Sequence, residues 1–286
     1  MHIIMIYPRV IYFLPTRVIA DAVINHMTGR PRKGKGTGGS LYVGSQQNYT
    51  GVPYAREHFH DPCPIINGKN MTESRNCMLV GLNDLNQTKE YVRVKIADYL
   101  NDMIEIGVKG FRVDASKHIW PKDLKAIWSL LKDLPDGNRP FFIHEVTGPG
   151  AEYFELGQVT EFKYGSRISQ FIKQEKFHRL KNIYSPKNNM ADSHHATVFI
   201  DNHDKQRKKK DILNAASPTH NDRLYKIATA FMLSYDYGFK RIMSSYYFTF
   251  DTWTTGPPSI DPEAFPKPCG NGWTCEHRLT LSIRFR

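Results

Sequence analysis

The stretch GFRVDASKH, residues 110–118, decides how this chain reads. An apolar run from Val108 to Val113 ends in Arg112, Asp114, Lys117 and His118, four charged or titratable side chains within seven positions. A plain core strand has no use for them. A strand whose C-terminal end forms the floor of a site does. Arg112 and Asp114 are two residues apart, so their side chains share one face of the strand. A buried guanidinium needs a partner, which either a carboxylate or a bound anion can supply.

Working outward, the flanks alternate between two periods. Residues 88–104 place Val92, Ile96, Tyr99 and Met103 on one helical face. Residues 120–134 read as a helix with Pro121 in its first turn. Residues 140–146, 158–165, 196–204 and 238–245 read as strands, 166–177 and 223–234 as helices, and 18–26 as a short buried strand. Strands alternating with helices imply a parallel sheet with crossover helices. The polar residues collect at the strands' C-terminal ends: Asn25 and His26, Asp114, Glu145, then Asn202, His203 and Asp204. In a (β/α)8 barrel those ends share one rim, where the active site sits. Residues 27–84 are rich in Gly, Pro, Asn and Ser and show little periodicity, as expected of either a functional excursion or a small subdomain. The expected organisation is therefore a start of chain and first barrel strand (1–26), an inserted irregular or β domain (27–84), and the remainder of the barrel (85–286).

Composition narrows the classes. The chain has 286 residues, 40% hydrophobic and 23% charged, enough for one large α/β domain. The formal net charge of +11 permits non-specific attraction to polyanions. Its lysines and arginines are scattered, apart from RPRKGKG (30–36) and RKKK (207–210), which read as solvated loops, so no nucleic-acid partner is expected. The opening MHIIMIYPRVIYFLP is broken by Pro8 and Arg9 and too short for a membrane span, and it carries no clear signal-peptide cleavage site. No membrane association is expected. Four cysteines fall into two local pairs, Cys63 with Cys77 and Cys269 with Cys275, which suits short-loop disulfides in an oxidising compartment. Three N-x-S/T triplets, at Asn48, Asn70 and Asn86, agree with secretion. No Cys/His cluster has zinc spacing.

Asp114, Glu145 and Asp204 each close a separate apolar strand. Parallel strands would bring them together, although 90 residues separate the first from the last. Carboxyls crowded in one cleft have their pKa values pushed apart, so one stays protonated while another is ionised. Retaining glycoside hydrolysis requires such a pair. Helix caps or surface acids at strand ends are the structural alternative.

In order, DAVINHM (21–27), GFRVDASKH (110–118), HEV (144–146) and FIDNHD (199–204) resemble the four signature segments of the α-amylase family. The likeness is greatest to the animal, chloride-dependent type. VTEFKYG (159–165), GFKRIMSSY (238–246) and CGNGWTCEHR (269–278) extend it. The resemblance implies an incomplete (β/α)8 barrel with an inserted small domain, and retaining endohydrolysis of α-1,4 bonds in starch, glycogen and malto-oligosaccharides by a secreted monomer. It makes Asp114 the nucleophile, Glu145 the general acid/base and Asp204 the carboxylate that stabilises the transition state. His26 and His203 would bond sugar hydroxyls, and Lys117 and His118 would border the next subsite. It implies a structural Ca2+ held by Asn25, Asp84 and the backbone carbonyls of Arg75 and His118, oxygen ligands that suit a hard cation. Read alone, Asn25 could be a turn residue and Asp84 a surface acid. It implies an activating Cl− at Arg112, Asn202 and Arg241. It also implies the pairings Cys63–Cys77 and Cys269–Cys275.

The chain departs from the family pattern in places. Two barrel strands expected before DAVINHM have no counterpart, and the C-terminal β-sandwich is missing, so the chain reads as truncated at both ends. KKKDILNAASPTH (208–220) stands where the family has a glycine-rich loop, and His144 where it has glutamine. A catalytically inactive fragment, or a related α-glucosidase or glucosyltransferase, are the alternatives.

Overall fold

The computed structural model describes residues 17–184, 189–207, 212–214, 221–246 and 256. Its contacts divide the chain into two compact units, Met1–Val159 and Thr160–Arg286.

The first unit contains strands β1 (Ile19–Ala22), β2 (His26–Gly29), β3 (Lys33–Lys35), β4 (Leu41–Val43) and β5 (Asn48–Tyr49), the short helix α1 (Met71–Asn76), then β6 (Leu82–Asp84) and helix α2 (Glu90–Glu105). Strand β7 (Gly110–Val113), helix α3 (Pro121–Ser129), strand β8 (Phe141–His144) and strand β9 (Gln158–Thr160) follow, and the unit boundary runs through β9. β1 and β7 pair in parallel with Asp21 opposite Arg112. β7 and β8 pair in parallel with Arg112 opposite Ile143, and Ile143 of β8 lies opposite Gln158. All four residues of β7 are buried, as a strand covered on both faces must be.

The long helix α2 buries Val92, Ile96, Ala97, Leu100 and Ile104. Tyr99 and Met103, expected on that face, flank it half-buried. Leu100 and Ile104 take the seam because they continue the four-residue step from Val92 and Ile96. α3 starts at Pro121, whose missing N–H is unneeded in a first turn. Arg93 of α2 donates to the buried Asp123 of α3 at 2.6 Å, tying the two helices together.

Several expected elements differ. The strand expected over 18–26 stops at Ala22, and His26 opens β2, which belongs to a different, antiparallel sheet with β6. Residues 27–84 are less irregular than their composition suggests: β3–β4–β5 form a second antiparallel sheet, and their two ends meet in β2–β6. Within the basic stretch 30–36, solvent-exposed as expected from residue 31 on, residues 33–35 form strand β3 rather than loop. The strand expected over 158–165 ends at Thr160, and helix α4 (Phe162–Lys173) begins inside it, because Glu161 turns its carboxylate onto the Lys163 amide as a cap.

One expected disulfide, Cys63–Cys77, is formed, with Cα atoms 4.9 Å apart. Closing that loop contributes about 3 kcal/mol through loop-closure entropy. Cys269 and Cys275 lie outside the described residues.

In the second unit, α4 and helix α5 (Asn221–Ser234) flank the parallel pair β10 (Ala196–Val198) and β11 (Phe239–Lys240). The strands expected over 196–204 and 238–245 are therefore shorter than their apolar runs. Tyr164, Ile168, Ile172, Val198, Tyr225 and Tyr237 form this unit's core. Among the described residues no helix is long and apolar enough to cross a membrane.

Candidate active site

At the C-terminal end of β7, Arg112 lies in the midst of three carboxylates. Its Nη1 donates to Asp21 Oδ1 at 2.7 Å and to Asp114 Oδ1 at 2.5 Å, and its Nη2 pairs with Glu145 Oε2 at 2.9 Å. The arginine side chain is 4% exposed, Glu145 14%, Asp114 22% and Asp21 49%. Burial works against the charge on Arg112, but the fields of Glu145, Asp21 and Asp114 more than offset it, so its pKa lies above the ordinary arginine value. The carboxylate partner foreseen for Arg112 is thus present three times over, while its buried Nε has no partner among the described residues.

The backbone supports both acids. The Asp114 amide donates to Ala22 O at 3.0 Å and the Glu145 amide to Val113 O at 3.0 Å, continuing the parallel ladders one residue past each strand end. After Asp114 the chain turns sharply through Ala115, whose φ of 49° is left-handed. That turn aims the Ala115 N–H at Glu145 Oε2, 2.9 Å away. The Lys117 amide reaches Glu145 O at 3.3 Å. Ser116 Oγ donates to Val113 O at 3.0 Å and contacts His144 Nδ1 at 3.1 Å, so the turn is fastened to both strands. His144 is fully buried against Trp128 and Tyr153, and burial pushes its imidazole down to about 4, which leaves it neutral.

Two of the histidines expected to meet substrate, His26 and His118, lie near Asp114. Burial lowers the His26 pKa, with the Asp114 carboxylate pulling it up and His118 pushing it further down. His118 is likewise lowered by burial, and it too feels Asp114. His26, His118, Lys117, Asp114 and Glu145 are thereby gathered within the first unit.

Of the set expected to hold calcium, Asn25 and Asp84 are in contact. Asn25 is fully buried, its Nδ2 donates to Asp84 Oδ1 at 3.4 Å, and its Oδ1 has no partner among the described residues. Asp84 is also buried. Desolvation raises its pKa to about 6 against the pull of His60, whose Nδ1 is 2.7 Å from Oδ2. His118 Nδ1 contacts Ser74 O at 2.6 Å, and Arg75 Nε donates to Lys117 O at 3.4 Å, which brings residues 75 and 118 side by side. An orphaned buried oxygen beside an under-compensated buried carboxylate is a donor set that fits a hard cation. Among the described residues no three His, Cys, Asp or Glu side chains form a metal cluster, and a site of one carboxylate, one amide and two carbonyls contains none.

The remaining expected residues belong to the second unit. Asp204 follows β10 in an exposed turn, its Oδ2 3.6 Å from His203 Nε2. Asn202 Oδ1 accepts the Lys205 amide at 2.8 Å, and the Arg241 amide donates to Val198 O at 2.8 Å.

Sequence reasoning assigned no role to Asp21, His60 or Ser116. Asp21 lies inside DAVINHM, but its importance comes only from standing opposite Arg112 across two strands. No local pattern announces that.

No protein-family model matches the chain. It is 44% identical over 284 residues to an alpha-amylase of Tribolium castaneum and 42% identical over 288 residues to one of Pecten maximus, covering 92% of this chain and 56% of each relative. A crystal structure of alpha-amylase I from Eisenia fetida superposes with a TM-score of 0.80 at 36% identity, over 92% of this chain and 59% of that one. A variant of the Eisenia enzyme has been solved with maltohexaose. The fold is an incomplete (β/α)8 barrel with a small inserted domain. The chain belongs to the alpha-amylase family and spans about half the length of the relatives it matches.

Proposed function

We propose that this chain carries the catalytic centre of a secreted, retaining endo-α-1,4-glucan hydrolase acting on starch, glycogen and malto-oligosaccharides. The observation that carries the reading is the single Arg112 fork joined to both Asp114 and Glu145. One guanidinium spanning two carboxylates keeps them close, compatible with the separation of about 5–5.5 Å in retaining pairs.

In this reading Asp114 attacks the anomeric carbon as Glu145 passes its proton to the leaving glycosidic oxygen, whose bond to that carbon breaks. The ionised Glu145 then takes a proton from water, the water oxygen bonds to the same carbon, and the bond to Asp114 breaks. For Asp204 and His203, which belong to the second unit, the family resemblance alone supplies the roles, support of the developing positive charge and a bond to a sugar hydroxyl. His26 binds a sugar hydroxyl, and Lys117 and His118 border the next subsite. Asn25, Asp84 and the carbonyls of Arg75 and His118 would hold calcium, which supplies structural cross-linking of the inserted domain and no chemistry. Chloride would sit at the Nε of Arg112, which has no partner among the described residues, weakening the hold of Arg112 on Glu145 so that the acid keeps its proton. The disulfide supports an oxidising compartment.

The test is hydrolysis of soluble starch by the purified chain with calcium and chloride, read as new reducing ends of retained anomeric configuration. Glu145→Gln should lower turnover about 10²–10⁴-fold while maltohexaose binding persists. A folded chain that binds maltohexaose without cleaving it refutes the catalytic reading.

A further inference from the structure

We propose that the β3–β4 hairpin is a docking surface for an anionic polysaccharide, separate from the candidate active site. Strand β3 is one of the two outer strands of the β3–β4–β5 sheet. It presents Lys33 and Lys35 to solvent, and just before it Arg32 is exposed and Arg30 half-exposed. None of these four cations pairs with a carboxylate among the described residues. The sequence explains why: between Asp21 and Glu57 there is no acidic residue.

Lysines on an edge strand also deter sheet-to-sheet pairing, and that role would account for Lys33 and Lys35. It does not account for Arg30 and Arg32, which precede the strand, or for a whole sheet without carboxylates. The backbone holds this array firmly. The turn 29–32 is folded over Gly44, where a Cβ would meet Gly29 O at 2.3 Å and Arg32 O at 2.9 Å, so only glycine admits the approach. The Gly44 amide donates to Arg32 O at 2.8 Å. Lys33 and Lys35 lie on one face about 6.6 Å apart, at 3.3 Å per residue, a spacing suited to successive charged groups along a polymer.

The neighbouring groups favour a glycan over a nucleic acid. Binding single strands calls for open aromatic faces on which bases stack. Tyr42, the aromatic residue of this hairpin, lies against Gly34 and stacks on Tyr49 at 6.3 Å with planes 6° apart. Leu41 alone is too little apolar surface to enter a lipid layer. Sulfate or carboxylate groups need only the cations.

The test uses the full chain and heparin as probe. Binding should weaken with salt, log K falling with log salt at a slope of about 3 if each of four cations releases 0.7–0.9 counterion. Arg32→Gln/Lys33→Gln/Lys35→Gln should flatten the slope to below about 1 and leave the circular dichroism unchanged, since all three side chains are exposed. The Glu triple at the same positions should abolish retention. A control, Lys69→Gln/Lys89→Gln/Lys125→Gln, removes the same charge elsewhere and should keep the wild-type slope. Equal loss in the control would mean that net charge binds the probe, and the proposal falls. It falls equally if duplex DNA or vesicles of anionic lipid bind through the hairpin and heparin does not.

Discussion

Arg112→Met would test the centre of the candidate site directly. Methionine keeps most of the side chain's bulk, so the variant removes the charge and little else. Removing one member of a buried ion pair costs about 3–5 kcal/mol, because the partner is left buried and uncompensated. Glu145 and Asp114 carry that cost, being 14% and 22% exposed, while Asp21 at 49% adds little. The expected loss at pH 7 is therefore about 3–5 kcal/mol, a large share of the roughly 5–15 kcal/mol typical of a folded domain. Its pH dependence identifies the cause. In the variant, protonating the carboxylates removes the uncompensated buried charge, so the loss should shrink as pH falls. Urea unfolding followed by tryptophan fluorescence reads this, since Trp128 stacks on Phe142 of β8 at 4.1 Å. A variant within 1 kcal/mol of wild type at pH 7, or an equal loss at pH 4 and pH 7, would refute the account.

Other outcomes can be checked on the same protein. Asp84 has a folded pKa raised to about 6, so without calcium it costs stability above that pH and the cost fades as pH falls through 6. Asp84→Asn should then raise calcium-free stability at pH 7.5 by about 3 kcal/mol, and calcium should raise the Tm of wild type far more at pH 7.5 than at pH 5. His144, pushed down to about 4, destabilises the fold as pH drops below the ordinary histidine value, because only the unfolded chain takes the proton. His144→Gln should lose about 2 kcal/mol less than wild type between pH 7 and pH 5, by urea titration at both. Asn70 caps α1 by accepting from the amides of Thr72 and Glu73. Asn70→Ala should cost about 1 kcal/mol in the same assay.

Local signals in the sequence proved legible in proportion to how local they are. Helix α2 follows from a four-residue apolar step within sixteen positions, and α3 from Pro121 at its start. The end of β9 was misplaced because residues 158–165 carry both a β-like apolar pattern and the first turn of α4, and the capping carboxylate of Glu161 decides between them. In the inserted domain, short strands separated by glycines leave too few residues for any period to emerge, so two sheets read as irregular chain.

Composition and order within the chain thus determined which side chains stand at strand ends: Asp114 and Glu145 follow their strands by sequence alone. What only tertiary structure decided is which of them meet. Asp21 and Arg112 are 91 residues apart, and their ion pair exists because parallel register sets them opposite one another. Register depends on how the hydrogen-bonded ladders and buried faces of two distant segments fit. A single segment's pattern carries no record of its partner's, which is why the charges of GFRVDASKH could be seen in the sequence but not their arrangement around one guanidinium.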